Sequence, residues 1–366
     1  MRVYLDCNAS MPVKPAVRES MVEALAGMGN ASSTHAEGRA VRRQIDAARA
    51  ALAALVAARP AEVIFTSGGT EANNLMLHSF DSVVTSALEH ASVLAFAPLD
   101  RRIPATPEGV VDLDAAEKRI RALPVPSCVS VMLVNNETGV IQPTQEIGAL
   151  AHRYGHIFHV DASQAIGRIP VDFQKLQADA LTLSGHKMGG PQGIGALIVR
   201  DSVPLRPLLK GGGQERNRRA GSENLPAIVG FGVAATLAPQ DLDQAPRLGR
   251  LRDSLQQALL EGGGADVRIA GEKAPRTSST LCVGLRGVKG ETQVASMDLS
   301  GVAVSAGSAC SSGKAKPSIV LQAMGWADDW ASCAVRFSLG WPTQTEDIQQ
   351  GLAAWQTLYQ RTRKTT

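Results

Sequence analysis

The chain has 366 residues, enough at about 150 residues per domain for two domains with ample core, which excludes a peptide hormone, a small disulfide scaffold or a lone binding module. Lys and Arg number 37 against 34 Asp and Glu, and a net charge of +3 supplies no field that would draw nucleic acid or an anionic membrane. The cysteines Cys7, Cys128, Cys282, Cys310 and Cys333 are scattered, odd in number and without a C-x-x-C pair, so a disulfide framework and a zinc ribbon are both excluded and no metal site is expected.

In chain order, the N-terminus, Met1-Arg-Val-Tyr-Leu-Asp6, is expected to carry no apolar run of signal-peptide length, and no stretch is expected to reach the ~18 apolar residues that cross a bilayer. The expectation is a cytoplasmic protein without a membrane partner. Residues 37–58 set Val41, Ile45, Ala48, Leu52 and Leu55 at helical spacing, with Arg39, Arg42, Arg43 and Arg49 mostly off that stripe, which predicts an amphipathic helix. Short β-branched runs follow at 62–66, 82–85, 129–134, 157–160, 180–183 and 194–199, several separated by helical patterns such as 114–123 and 143–154. That alternation predicts an α/β domain built on a mostly parallel sheet.

Past about residue 240 the texture changes. A helix over 247–260 meets the breaker 262–264, and strands at 266–270, 279–284 and 334–339 interleave with helical stretches at 293–299, 318–324 and 346–359. The expected division is an N-terminal segment, 1–15, packing with the small domain, a large domain at 16–245 and a smaller α+β domain at 246–366.

Three strand ends carry chemistry. Ser67-Gly-Gly-Thr-Glu-Ala-Asn-Asn74 follows a strand and opens a helix, so the backbone amides around Gly69 and the Thr70 hydroxyl can cradle a phosphate. His159-Val-Asp-Ala-Ser-Gln164 puts Asp161 at a carboxyl end, where open α/β sheets bind ligands. Ser184-Gly-His-Lys187 puts a lysine in a small-residue turn one strand further on, where desolvation favours a nucleophilic amine. A phosphate cup, an acid and a lysine at successive strand ends match the needs of pyridoxal phosphate: an anchor, a partner for the pyridine nitrogen and a Schiff-base amine. His90, just beyond the strand at 82–85, can stack on the ring and handle protons.

At this point the chain resembles the fold-type I pyridoxal-phosphate enzymes of the class V aminotransferase superfamily, specifically cysteine desulfurases of the NifS/IscS type. The resemblance runs nearly end to end, through residues 4–9, 30–35, 66–74, 135–142, 159–164, 184–187, 211–216 and 219–224. Its decisive stretch is Ser305-Ala-Gly-Ser-Ala-Cys-Ser-Ser-Gly313, followed by Arg336-Phe-Ser-Leu-Gly340.

The resemblance implies that Lys187 carries pyridoxal 5'-phosphate, that Asp161 pairs with its ring nitrogen, and that Asn136 and Gln164 lie on its 3-hydroxyl side. Thr70, Ser184 and His186 hold the phosphate, His90 stacks on the ring and Arg336 clamps the substrate carboxylate, a task for which the planar guanidinium fork is suited. Cys310 is implied as the thiol that takes sulfur from L-cysteine, releasing L-alanine and forming a persulfide for an iron-sulfur scaffold or other acceptor protein. Its neighbours over 303–313 are nearly all Ser, Ala and Gly, a composition that predicts a mobile segment.

Ser222, standing where relatives often have Thr, implies a homodimer whose subunits share phosphate contacts. Trp341 stands where relatives often have Arg, and Ala306 where Ser is frequent. The other classes consistent with these residues are a selenocysteine lyase, an aminotransferase using the same cofactor site, and a catalytically silent sulfur-relay subunit.

Overall fold

The computed structural model describes residues 2–307 and 317–363; Cys310 lies outside the described residues. The chain runs β1 (Val3–Tyr4), α1 (Pro15–Ala26), α2 (Ala36–Leu55), β2 (Val63–Thr66), α3 (Gly69–Leu77), β3 (Val83–Ser86), α4 (Ala91–Leu94), β4 (Arg102–Ile103), α5 (Leu113–Arg121) and β5 (Cys128–Met132). It continues through α6 (Thr144–Arg153), β6 (Ile157–Asp161), β7 (Ala180–Ser184), β8 (Gly195–Val199), α7 (Leu225–Asp243), α8 (Ala245–Gly263), β9 (Val267–Ile269) and β10 (Thr280–Leu285). It closes with α9 (Gly290–Leu299), β11 (Val302–Ala303), β12 (Ser305–Ala306), α10 (Ile319–Ala323), α11 (Asp328–Ala331), β13 (Ala334–Ser338) and α12 (Thr345–Arg363).

Seven strands form one sheet in the order β2-β8-β7-β6-β5-β3-β4, in which only β8 runs against its neighbours. Strands β5 to β7 are buried along their whole length apart from Ile157, as expected when helices cover both faces of a parallel sheet. A four-stranded antiparallel sheet, β12-β13-β10-β9, carries its own apolar core of Leu281, Val283, Val335, Phe337 and Trp355. The N-terminus joins this second assembly: β1 pairs in parallel with β11, and Asp6 bridges to Ser338.

In α2 the stripe Val41, Ile45, Ala48 and Leu52 is buried, but the helix stops at Leu55, three residues before the expected end, because Ala57 takes a left-handed conformation with φ 55°. The helix expected over 247–260 runs three residues further, through Gly262 and Gly263, and ends inside the expected breaker, where Gly264 adopts φ 53°.

Helix α7 overturns one expectation outright. Its 19 residues are long and apolar enough to cross a membrane by length and composition alone. It packs instead against α1 and α2, burying Ile228, Phe231, Ala234, Ala235 and Ala238, so its apolarity serves a core helix.

Candidate active site

The site is built at the carboxyl ends of the parallel strands. Registers between β5, β6 and β7 set Met132 beside Asp161 and Asp161 beside Thr182. Asp161 closes β6, and both its oxygens are held from behind: Oδ1 accepts from the Ser163 amide at 2.9 Å and Oδ2 from Asn73 Nδ2 at 2.8 Å. The carboxylate is thereby fixed in orientation at the edge of the cavity.

Beyond β7 the chain makes a tight turn over Gly185–Lys187. A side chain at Gly185 would meet Ile194 Cγ2 at 2.7 Å and the Pro191 carbonyl at 2.9 Å, so glycine is required for the turn to fold back against this loop. The half-buried Lys187 donates from Nζ to the carbonyls of Asn8 at 2.6 Å and Ala9 at 2.9 Å, contacts across almost half the chain. Burial, aided by the positive charges of Lys187 and Arg168, pushes His186 down to about 4, which leaves a neutral imidazole at neutral pH.

His90 caps α4. Its Nδ1 accepts the Ser92 amide at 3.1 Å, which assigns the proton of the neutral ring to Nε2, and it lies 2.8 Å from Ser92 Oγ. Ser92 Oγ accepts from Asn73 Nδ2 at 2.9 Å, so a single amide group links the His90 support to Asp161. Just behind, Glu89 is pushed up to about 8 by burial and the nearby Asp161 charge, although Ser86 and Met132 both donate to it. Arg336, on β13, is 4% exposed and donates from Nη1 to the Asn136 carbonyl at 2.9 Å and from Nη2 to Asp6 Oδ1 at 2.7 Å.

One cavity of about 340 Å³ is lined by Gly69, Thr70, His90, Asn136, Asp161, Gln164, Ser184, His186, Lys187 and Arg336 together with Asn8, Asn73, Ser92 and Ser163. Ser222 is not among them. It lines a separate cavity of about 160 Å³ with Thr66, Ser67, Glu215 and Arg219. Asn73 and Ser92, which tie the site together, carry no local signal of that role; Asn73 lies within the 66–74 motif, but its contact with Asp161 spans 88 residues.

Pyridoxal phosphate fits these residues. His186 Nδ1 and Gln164 Oε1 are buried without a hydrogen-bond partner among the described residues, a cost that a ligand with phosphate and hydroxyl groups relieves. At Gly69, a side chain would come within 3.1 Å of Ser163 Oγ and 3.4 Å of Ser184 Cβ, so glycine keeps the approach to the α3 N-terminus clear for an anion. The volume falls within the ~300–1,000 Å³ typical of small-molecule sites.

The aminotransferase class-V family matches residues 3–350. A cysteine desulfurase of Cereibacter sphaeroides is 42% identical, the match covering 94% of this chain and 92% of the relative. The cysteine desulfurase IscS of Dictyoglomus turgidum is 37% identical over 99% of this chain and 95% of its own. Among solved structures, a NifS-like protein from Rickettsia africae superposes with a TM-score of 0.91 at 32% identity, covering 98% of this chain and all of that one. SspA in complex with cysteine superposes with a TM-score of 0.77 at 29% identity, over 92% and 99% of the two chains. With this fold and these matches, the chain belongs to the aminotransferase class-V family of pyridoxal-phosphate enzymes and, within it, to the cysteine desulfurases.

Proposed function

We propose that the cavity around Lys187 and Asp161 is where this chain converts L-cysteine to L-alanine, with Cys310 as the residue that receives the sulfur. The observation that carries the reading is the convergence of a lysine amine, a buried carboxylate and a buried arginine on one cavity with a helix N-terminus at its edge. When bound, pyridoxal phosphate supplies an electron-withdrawing ring that acidifies the substrate's Cα–H and opens its sulfur to attack.

The chain's own groups have separate tasks. Thr70, Ser184 and His186 would hold the phosphate, with the Gly69 amide region completing the cup. Asp161, fixed by Asn73 and the Ser163 amide, would supply the negative charge that keeps the ring nitrogen protonated. Asn136 and Gln164 would serve the 3-hydroxyl side, and His90 would stack on the ring. Arg336 takes the substrate carboxylate. Lys187 Nζ removes the Cα proton and returns it to the product.

The Cys310 thiolate forms a sulfur–sulfur bond as the substrate's carbon–sulfur bond breaks; the electron pair of that bond stays with Cβ and takes up a proton equivalent to the one the Cys310 thiol gave up, so that L-cysteine and a thiol become L-alanine and a persulfide with no outside oxidant. The persulfide sulfur then passes to an iron-sulfur scaffold or other acceptor protein in the cytoplasm. A homodimer in which Ser222 reaches the neighbouring subunit's phosphate accounts for its position outside the cavity. The division into 1–15, 16–245 and 246–366 is supported by sheet membership, since the seven-stranded sheet uses residues 63–199 and the four-stranded sheet residues 267–338.

The test is Cys310→Ala beside Lys187→Ala. Cys310→Ala is expected to retain coenzyme absorbance and L-cysteine binding while losing sulfide release. Lys187→Ala is expected to lose both the native absorbance and turnover. Sulfide release at the parent rate in Cys310→Ala removes the thiol from the reaction.

A further inference from the structure

We infer that Asp6 is a positioning residue for the substrate carboxylate, acting through Arg336. The inference rests on the reading of Arg336 as the carboxylate clamp and adds to it the group that aims the clamp. Arg336 Nη2 donates to Asp6 Oδ1 at 2.7 Å and Nη1 donates to the Asn136 carbonyl at 2.9 Å. The remaining guanidinium nitrogen, Nε, is buried with no hydrogen-bond partner among the described residues.

Asp6 is itself fixed. Its second oxygen, Oδ2, accepts from Ser305 Oγ at 2.7 Å, and Ser305 on β12 is the register partner of Arg336 on β13. The backbone of Asp6 bridges to Ser338, two residues along the same strand from Arg336. Asp6 therefore reads the position of β13 at two points and holds the guanidinium plane from the side.

The physical reason for such a partner is twofold. A buried guanidinium left unpaired is costly, and Asp6 offsets its charge before substrate arrives. A planar fork binds a carboxylate in two parallel hydrogen bonds only when its plane is set in advance, because each free torsion of a long side chain must otherwise be frozen on binding. Asp6 carries neither a proton nor an electron pair to the reaction. Its contribution is to the affinity for any ligand with an α-carboxylate, and it leaves ligands without that group untouched.

The experiment follows coenzyme absorbance of the pyridoxal-phosphate-loaded protein during titration with L-alanine and, separately, with ethylamine, the same molecule lacking the carboxylate. Asp6→Asn is expected to raise the half-saturating L-alanine concentration about tenfold and to shift that of ethylamine by less than about twofold, as for loss of one charge-assisted bond in an intact site. Ser305→Ala, which leaves the Asp6 charge in place but loosens it, is expected to move in the same direction by about threefold.

In an Arg336→Gln background, Asp6→Asn is expected to add nothing further, since the pathway to the carboxylate is already cut. If Arg336→Gln discriminates between L-alanine and ethylamine while Asp6→Asn and Ser305→Ala do not, the role of Asp6 is overturned and the clamp stands. If Arg336→Gln itself fails to discriminate, the clamp falls and this inference with it. Equal losses for both ligands in Asp6→Asn also overturn the inference, because they mark a general structural defect.

Discussion

Glu89 sits one residue before His90, wholly buried beside Asp161, and its carboxyl titrates near 8 because burial and that neighbouring charge outweigh the hydrogen bonds from Ser86 and Met132. A carboxyl raised in this way holds its proton longer in the folded chain than in the unfolded one. Its contribution to stability is therefore present at low pH and is lost as pH climbs from the ordinary carboxylate range through about 8. Glu137, raised to about 7 by burial although Ser318 donates to it, adds a second slope of the same sign over a narrower window. Replacing Glu89 by Gln removes the titrating group at nearly constant shape. Urea unfolding of Glu89→Gln between pH 5 and pH 9 is expected to show a flatter decline than the parent and a higher relative stability at the alkaline end. An unchanged slope would show that Glu89 does not titrate there.

At the level of elements, α2 and α7 pack directly against each other. Gly232 lies in that contact: a Cβ there would stand 2.6 Å from Ala48 Cβ and 2.7 Å from its Cα. Neither atom belongs to a flexible side-chain end, so the helices must part to admit a methyl group. Gly232→Ala is expected to destabilise the fold by about 1–3 kcal/mol despite its better helix propensity, the range measured for overpacked cores, and thermal unfolding of the apo protein checks it. Glu215, Arg216 and Asn217 hold φ values of 45°, 58° and 64°, a left-handed run that non-glycine residues adopt at a cost. That turn is held by Glu215, whose carboxylate takes two bonds from Arg49 at 2.8 and 2.7 Å and the Phe65 amide at 3.0 Å. Helix α7 left little trace of its role in the sequence, because it is apolar around much of its circumference and shows no stripe. Helix α2, with a clean stripe, was legible to within three residues of its end.

Across the whole molecule, the N-terminal segment is the tie between the two sheets and the cavity. Asn8 Nδ2 donates to the Asn136 carbonyl and to Thr280 Oγ1, while its own carbonyl accepts from Lys187 and Gln164. Removal of residues 1–10 is expected to leave helical circular dichroism close to the parent and to cost both coenzyme retention through gel filtration and L-alanine binding. Retained coenzyme absorbance in the truncated chain would show that the tie is dispensable. The gathering of Gly69, Asp161 and Lys187 on one cavity was legible in the chain itself, since a glycine turn, an acid and a lysine each follow a β-branched run, and strand direction alone sends such residues to one edge of a parallel sheet. The partners of those groups were not. Asp6 meets Arg336 across 330 residues, Lys187 meets Asn8 across 179, and Asn73 meets Asp161 across 88. Chain order and periodicity specify which side chains reach a strand end, because those are local properties of the backbone. Which carbonyl or carboxylate stands opposite depends on how separate elements pack, and only the folded molecule decides that.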